Sequence, residues 1–212
     1  RHIQKLGGLM AIMPVTFTIS LIGLASMAGI PPFNGFISKE MFFTELLHIS
    51  SMNVTGVETW GVVILAVAWI ASVFTFLYCA ILFFKTFFGT FNKENYSKEV
   101  HEAPLGMLIS PVILVGLVII LGLFPNLLVP TVIEPAVASI LPHLPAEELT
   151  INLSLWHGLN TELLMSLGVI GFGTTLYMTY SKWKNLGIMQ HDRDPFNSVY
   201  DKSLNGLSIS SE

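Results

Sequence analysis

Charge is scarce in this chain: Asp, Glu, Lys and Arg make up 11% of its 212 residues, against about a quarter in an average soluble domain. With 52% hydrophobic residues and a mean hydropathy of +0.68, that scarcity excludes an ordinary soluble domain and marks a membrane protein. Cysteine is nearly absent too. Cys79 stands alone in an apolar run, so no internal disulfide can form; a small packing residue is the expected role. The sequence has no basic stripe for nucleic acid, no nucleotide-binding loop, no metal-ligand spacing and no Ser-His-Asp order. His101 and Glu102 do not make a metal site by themselves, and HDRD at 191–194 reads as a solvated turn. Catalytic residues, cofactors and a resident metal are therefore not expected. An initiator methionine and a signal peptide are also missing, and the chain opens on RHIQKLGGL, a loop running into a span. The functional unit is expected to extend beyond both ends.

What the chain does have is long apolar runs. Crossing roughly 30 Å of hydrocarbon takes about 20 apolar residues in a helix, and four segments reach that length: 10–50, 60–88, 105–124 and 161–180. The first holds either one interrupted span or two short ones, and charge decides between them. Arg1 and Lys5 precede it, Lys85, Lys93 and Lys98 follow the second, and Lys182, Lys184, Arg193 and Lys202 follow the fourth. Segments 51–59 and 125–160 hold no Lys or Arg. With one interrupted first span, all nine flanking basic residues fall on one face, which the positive-inside rule makes cytoplasmic. The expected fold is thus an all-α, polytopic membrane helical bundle with four spans, the first discontinuous. Residues 1–9 form a cytoplasmic loop and 181–212 a cytoplasmic tail. Residues 125–160, rich in proline and acidic through Glu134, Glu147 and Glu148, form an external interfacial segment.

The discontinuity is GIPPFNGFISKE, residues 29–40. Pro14 suits the first turn of a helix that Pro31 and Pro32 must stop near Gly29. Gly29, Pro31, Pro32 and Gly35 free backbone groups that lipid cannot satisfy, so this stretch should be buried in protein or line a hydrated cavity. A second helix can start at Asn34 or Ser38, either of which can cap it. Lys39 then lies in its first turn, where the helix dipole and burial both disfavour an ammonium. An ionisable residue in a membrane-length apolar stretch costs about 2.5–3.5 kcal/mol on insertion scales and marks a functional site by default. Lys39 is the candidate for proton translocation. Glu40 suits the dipole and can partly offset the lysine, although neighbours at i and i+1 do not share a face. A lysine snorkelling to an interface is the competing explanation.

Other candidates carry less. His48 stands three residues beyond Glu45 and can pair with it as a relay, or sit at an interface. His157 and Trp156 read as an interface anchor before the fourth span. Ser72, Thr75 and Cys79 share a helical face and suit a packing seam, while Phe83, Phe84, Phe87 and Phe88 are expected to be lipid-facing.

KLGGLMAIMP at 5–14, AGIPPFNGFISKEMFF at 28–43 and SLWHGLNTELL at 154–164 resemble the large A subunit of Mrp-type multi-subunit Na+/H+ antiporters, a family homologous to the antiporter-like subunits of respiratory complex I. The resemblance covers essentially the whole chain. It implies Na+ and H+ as transported ions, the remaining components of the antiporter complex as partners, a role in pH homeostasis and a multi-pass place in the cell membrane with both ends of this chain cytoplasmic. It also implies that 10–50 is the family's second interrupted helix, with Lys39 on a hydrophilic axis across the membrane, and that the tail after Asp194 approaches a lateral amphipathic helix. The family's earlier broken helix and its Glu-Lys pair are absent from the sequence, so this stretch alone should not transport. A proton-pumping subunit of complex I and a membrane scaffold without an ion path remain as alternatives. The expected activity is transport by a secondary transporter subunit, not enzymatic turnover.

Overall fold

A computed structural model describes residues 7–51, 57–91, 100–140, 153, 158 and 160–185, with backbone alone at 57–59 and 181–185. A 3-10 turn (Leu9–Ala11) leads into α1 (Pro14–Ala28), followed by α2 (Asn34–Ser51), α3 (Val57–Phe87) and α4 (Leu105–Leu123). Short helical turns at Pro125–Leu127 and Val129–Ile133 continue into α5 (Glu134–Ile140), and α6 covers Thr161–Asn185. The fold is all-α, with no strand among the described residues. The chain divides into two compact units, residues 1–174 and 175–212, and of the second only the helical stretch to Asn185 is described.

Among the described residues three helices are long and apolar enough to cross a membrane: Trp60–Phe87, Leu105–Leu123 and Thr161–Tyr180. Their outward side chains stay apolar, as in Val63, Ile70 and Phe74 of α3 and Ile113, Leu117 and Ile120 of α4. A soluble fold would not leave such faces bare. This is a multi-pass membrane protein.

α1 and α2 follow one another along α3, which runs antiparallel to both. Phe17 near the start of α1 packs against Phe83 and edge-on against Phe87 at the end of α3, with ring centroids 5.3 Å apart in each pair. Tyr78 donates its hydroxyl to the Met27 sulfur near the end of α1 at 2.8 Å. Gly61 at the other end of α3 lies against the Ser50 backbone, near the end of α2. α3 has 31 residues and α1 and α2 together 33, so one long helix serves as the rail for two half-length ones.

Local chemistry explains the ends of α1. Pro14 takes the first helical position, where its missing N–H is harmless. Met13 offers no side-chain cap. The cap arrives instead from Glu102, 87 residues downstream, whose carboxylate accepts hydrogen bonds from the Val15 N–H at 2.9 Å, the Thr16 N–H and the Thr16 hydroxyl. The Thr16 hydroxyl, with help from the Val15, Thr16 and Ala103 amides, holds the Glu102 carboxyl below the usual carboxylate range. At the far end Gly29 turns left-handed at φ 79°. The Ile30 N–H bonds the Ala25 carbonyl and the Gly29 N–H the Ser26 carbonyl, the paired bonds of a Schellman stop.

Three expectations need correction. Phe83 and Phe87 are buried against Leu9, Phe17, Leu24 and Val100, because the 3-10 turn and the start of α1 fold over that end of α3; Phe84 and Phe88 do remain exposed. α2 begins at Asn34 and not at Ser38, so Lys39 and Glu40 lie past its first turn. Ser38 is exposed within the helix and caps nothing at its start. The expected span at 161–180 coincides with the apolar stretch Thr161–Tyr180, and its helix continues to Asn185.

Of the flanking basic residues, Arg1, Lys5, Lys93, Lys98, Arg193 and Lys202 lie outside the described residues, as do Trp156, His157, Glu147 and Glu148 and the whole of 186–212. Lys85 sits in the last turn of α3.

Candidate functional site

The interruption between α1 and α2 is a built junction in which each half-helix caps the other. The hydroxyl of Ser26, in the last turn of α1, accepts the Gly35 N–H at 3.3 Å and donates to Asn34 Oδ1 at 2.8 Å. One of the orphan amides at the start of α2 is thus satisfied from α1. In return the Lys39 Nζ reaches back from the second turn of α2 and donates to the Ala28 carbonyl at 2.9 Å. That carbonyl belongs to the last residue of α1 and is left over by the Schellman bonds at Ala25 and Ser26.

This placement revises the electrostatics expected from sequence. The ammonium does not face the positive end of α2; it faces the negative end of α1, where a cation is favoured, by typically 0.3–1 kcal/mol at exposed sites. The lysine stem is half-buried against Gly29. Partial burial and the dipole therefore act on the charge in opposite senses.

Three glycines hold the junction closed. A Cβ on Gly29 would meet Lys39 Cδ at 2.6 Å, and its left-handed backbone resists any other residue. Gly35 lies so close to the Ser26 backbone that a Cβ would overlap that carbonyl. Gly122, near the end of α4, presses on the break itself, where a Cβ would come 2.5 Å from the Pro32 carbonyl and 2.9 Å from the Asn34 nitrogen. The Pro31-Pro32 bond is cis, and both prolines are exposed in the described chain.

The other candidates are spread out. Glu40 is buried at 7% exposure, on the face of α2 that also buries Phe36, Ile37, Phe43 and Leu46, and its carbonyl accepts the Thr44 hydroxyl. His48 is exposed in the last turn of α2, nine residues beyond Lys39 and so about 13 Å away along the axis. The junction does not bring the two together. Cys79 is buried at 2% in α3, and with Ala28, Ile30 and Phe83 it lines an apolar groove between α1 and α3 of about 140 Å³. Thr75 is occupied by the Ala71 carbonyl within its own helix. No cluster of three metal-ligating side chains occurs among the described residues.

Sequence reasoning missed Ser26, the Ala28 carbonyl, Gly122 and the role of Glu102. Ser26 had a usable signal, a hydroxyl placed three residues before the helix-ending glycine. Gly122 and Glu102 act on residues more than eighty positions away, and nothing in their own neighbourhoods announces it.

Residues 1–64 match the family described as NADH:quinone oxidoreductase/Mrp antiporter, transmembrane. Over its full length the chain is 58% identical to the A subunit of the Na(+)/H(+) antiporter of Alkalihalophilus pseudofirmus, of which it covers 27%. It is 52% identical, over 96% of its length, to the protein of the same name from Bacillus subtilis, covering 26% of it. The structure of the Mrp complex from Dietzia sp. DQ12-45-1b contains a chain that superposes on 97% of this one with a TM-score of 0.60 at 26% identity, over 21% of its own length. The chain thus spans about a quarter of the curated relatives it matches.

Proposed function

We infer the function from what this chain is similar to: its first 64 residues match the NADH:quinone oxidoreductase/Mrp antiporter membrane family, and its whole length is homologous to one stretch of the Na+/H+ antiporter A subunits. It serves as part of a cation/proton antiporter subunit, exchanging Na+ for H+ within a multi-subunit complex, and it acts as a transporter component with no enzymatic step of its own. Lys39 carries protons across the break. The observation behind this is the Lys39 bond to the Ala28 carbonyl at the interrupted helix. Lipid tolerates broken backbone only where protein or water covers it, and half-helix ends are where transporters place their ions. Glu40, buried one residue on, is the second titratable group of the same turn. His48, about 13 Å from Lys39 along the helix axis, belongs to a separate step of the path.

The test is exchange by the complete complex in everted membrane vesicles energised to build an acid interior. Adding Na+ should collapse the pH gradient where the complex is present, and leave it intact in vesicles lacking this subunit. A complex that assembles but releases no protons on Na+ addition sinks the antiporter reading, and NADH-dependent proton pumping by the same complex establishes the complex I alternative.

We further propose that α1 and α2 cross the membrane as one interrupted span and that both ends of the chain face the cytoplasm. The support is their succession along a single antiparallel helix, together with the nine flanking basic residues, which one interrupted first span would gather on a single face. Cysteines placed at Ser97 and Ser181 in the full-length protein should react with an impermeant maleimide from the cytoplasmic side alone. Labelling from the outside alone reverses the orientation.

A further inference from the structure

α4 touches the interrupted span at its two ends. Its buried residues are Leu108 and Gly122, fourteen positions apart, which is close to four helical turns and places both on one face. Gly122 meets the Pro32 carbonyl and the Asn34 nitrogen at the break. Three residues before α4 begins, Glu102 takes the Val15 and Thr16 amides and the Thr16 hydroxyl at the start of α1. The two helices therefore run parallel, and α4 is fastened to α1 where α1 starts and again just beyond where it stops. The lengths agree: Val15 to Ala28 and Leu108 to Gly122 each cover about 20 Å at ~1.5 Å per residue. Between the fastenings most of α4 is exposed, so the ends carry the register.

We propose that Glu102 is a positioning residue: by tying the start of α1 to α4, it holds the break in the register at which Lys39 meets Ala28. For transport this rests on the reading of Lys39 as the working residue; the mechanical claim stands without it. Glu102 is only partly buried, so water can take over the Val15 and Thr16 amides when the carboxylate is removed. The helix then survives and the tether is lost. Gln at the same position keeps an acceptor oxygen of the same reach and should preserve much of the tether.

The experiment compares Glu102→Ala and Glu102→Gln in the complete complex, by Na+-driven proton exchange in vesicles and by amide hydrogen exchange read by mass spectrometry. In Glu102→Ala, transport should drop by about tenfold at normal assembly, since a displacement of 1 Å at a reacting centre can cost about 10²-fold. Protection should fall both at residues 14–18 and at the break, 25–35, and Glu102→Gln should recover both readouts. A protection change confined to residues 14–18 reduces Glu102 to a local cap and overturns the proposal, whatever Lys39 does. Normal transport by Glu102→Ala despite lost protection at the break overturns its role in exchange.

Discussion

Replacing Lys39 with Ala in the full-length complex should lower Na+-dependent proton exchange by more than about tenfold, the lower range for removing a positioned proton donor being about 10². Assembly and abundance should stay normal, because the Ser26 hydroxyl still joins the two half-helices through Asn34 and Gly35 when the lysine bond to Ala28 is lost. Lys39→Arg separates the explanations. A guanidinium satisfies the Ala28 carbonyl and the α1 dipole at least as well as an ammonium does, but it does not give up its proton at physiological pH. If Lys39 is only a helix cap, arginine should restore near-wild-type exchange. If it relays protons, arginine should fail as alanine does, in a complex that a native gel shows to be intact. Exchange near the wild-type rate in an assembled Lys39→Arg complex would reject the relay and leave the cap.

The ambiguity that this variant resolves is a physical one. The features that make Lys39 look functional, a cation in a membrane-length apolar run beside broken backbone, also make it a good cap for α1. The second role was invisible in the sequence because it depends on where Ala28 ends up. Much else was legible. Pro14, Gly29 and Pro31 bracket α1 through strictly local chemistry, a proline that fits only the first turn, a glycine that can turn left-handed and a proline that cannot continue a helix. The apolar runs at 60–88, 105–124 and 161–180 overlap the three helices that, among the described residues, are long enough to span, since length and hydropathy alone define such segments. What failed were judgements about facing. Phe83 and Phe87 are lipid-like in composition, yet they lie under Phe17 and Leu9 because the chain folds back over them. Asn34 and Ser38 are equally good caps by residue type. Ser26 decides the matter by bonding Asn34 and Gly35 from the preceding helix. Likewise, the dipole of its own helix disfavours an ammonium on Lys39, whereas the side chain places its charge at the end of the neighbouring helix.

Gly35→Ala should be among the most damaging single-methyl substitutions in the described chain. The added Cβ would overlap the Ser26 carbonyl, a backbone atom fixed by the Gly29 N–H and unable to swing aside as a side chain could. The Ser26 hydroxyl stands 3.0 Å from the same methyl, so relief by rotation would also cost the bonds to Asn34 and Gly35. α2 must move away from α1, and the Lys39 reach to Ala28 goes with it. Overpacking of this kind costs about 1–3 kcal/mol. The comparison that makes the result informative is Gly116→Ala in the middle of α4, where a Cβ meets nothing within 4 Å. There the methyl should be neutral or slightly stabilising, because alanine loses less backbone freedom than glycine on forming a helix. Gly35→Ala should therefore lower both the thermal midpoint of the purified complex and its Na+-driven exchange, while Gly116→Ala changes neither. A Gly35→Ala complex with wild-type melting and transport would mean that α1 and α2 are not in contact at Ser26, and the reciprocal capping that places Lys39 would fall with that contact.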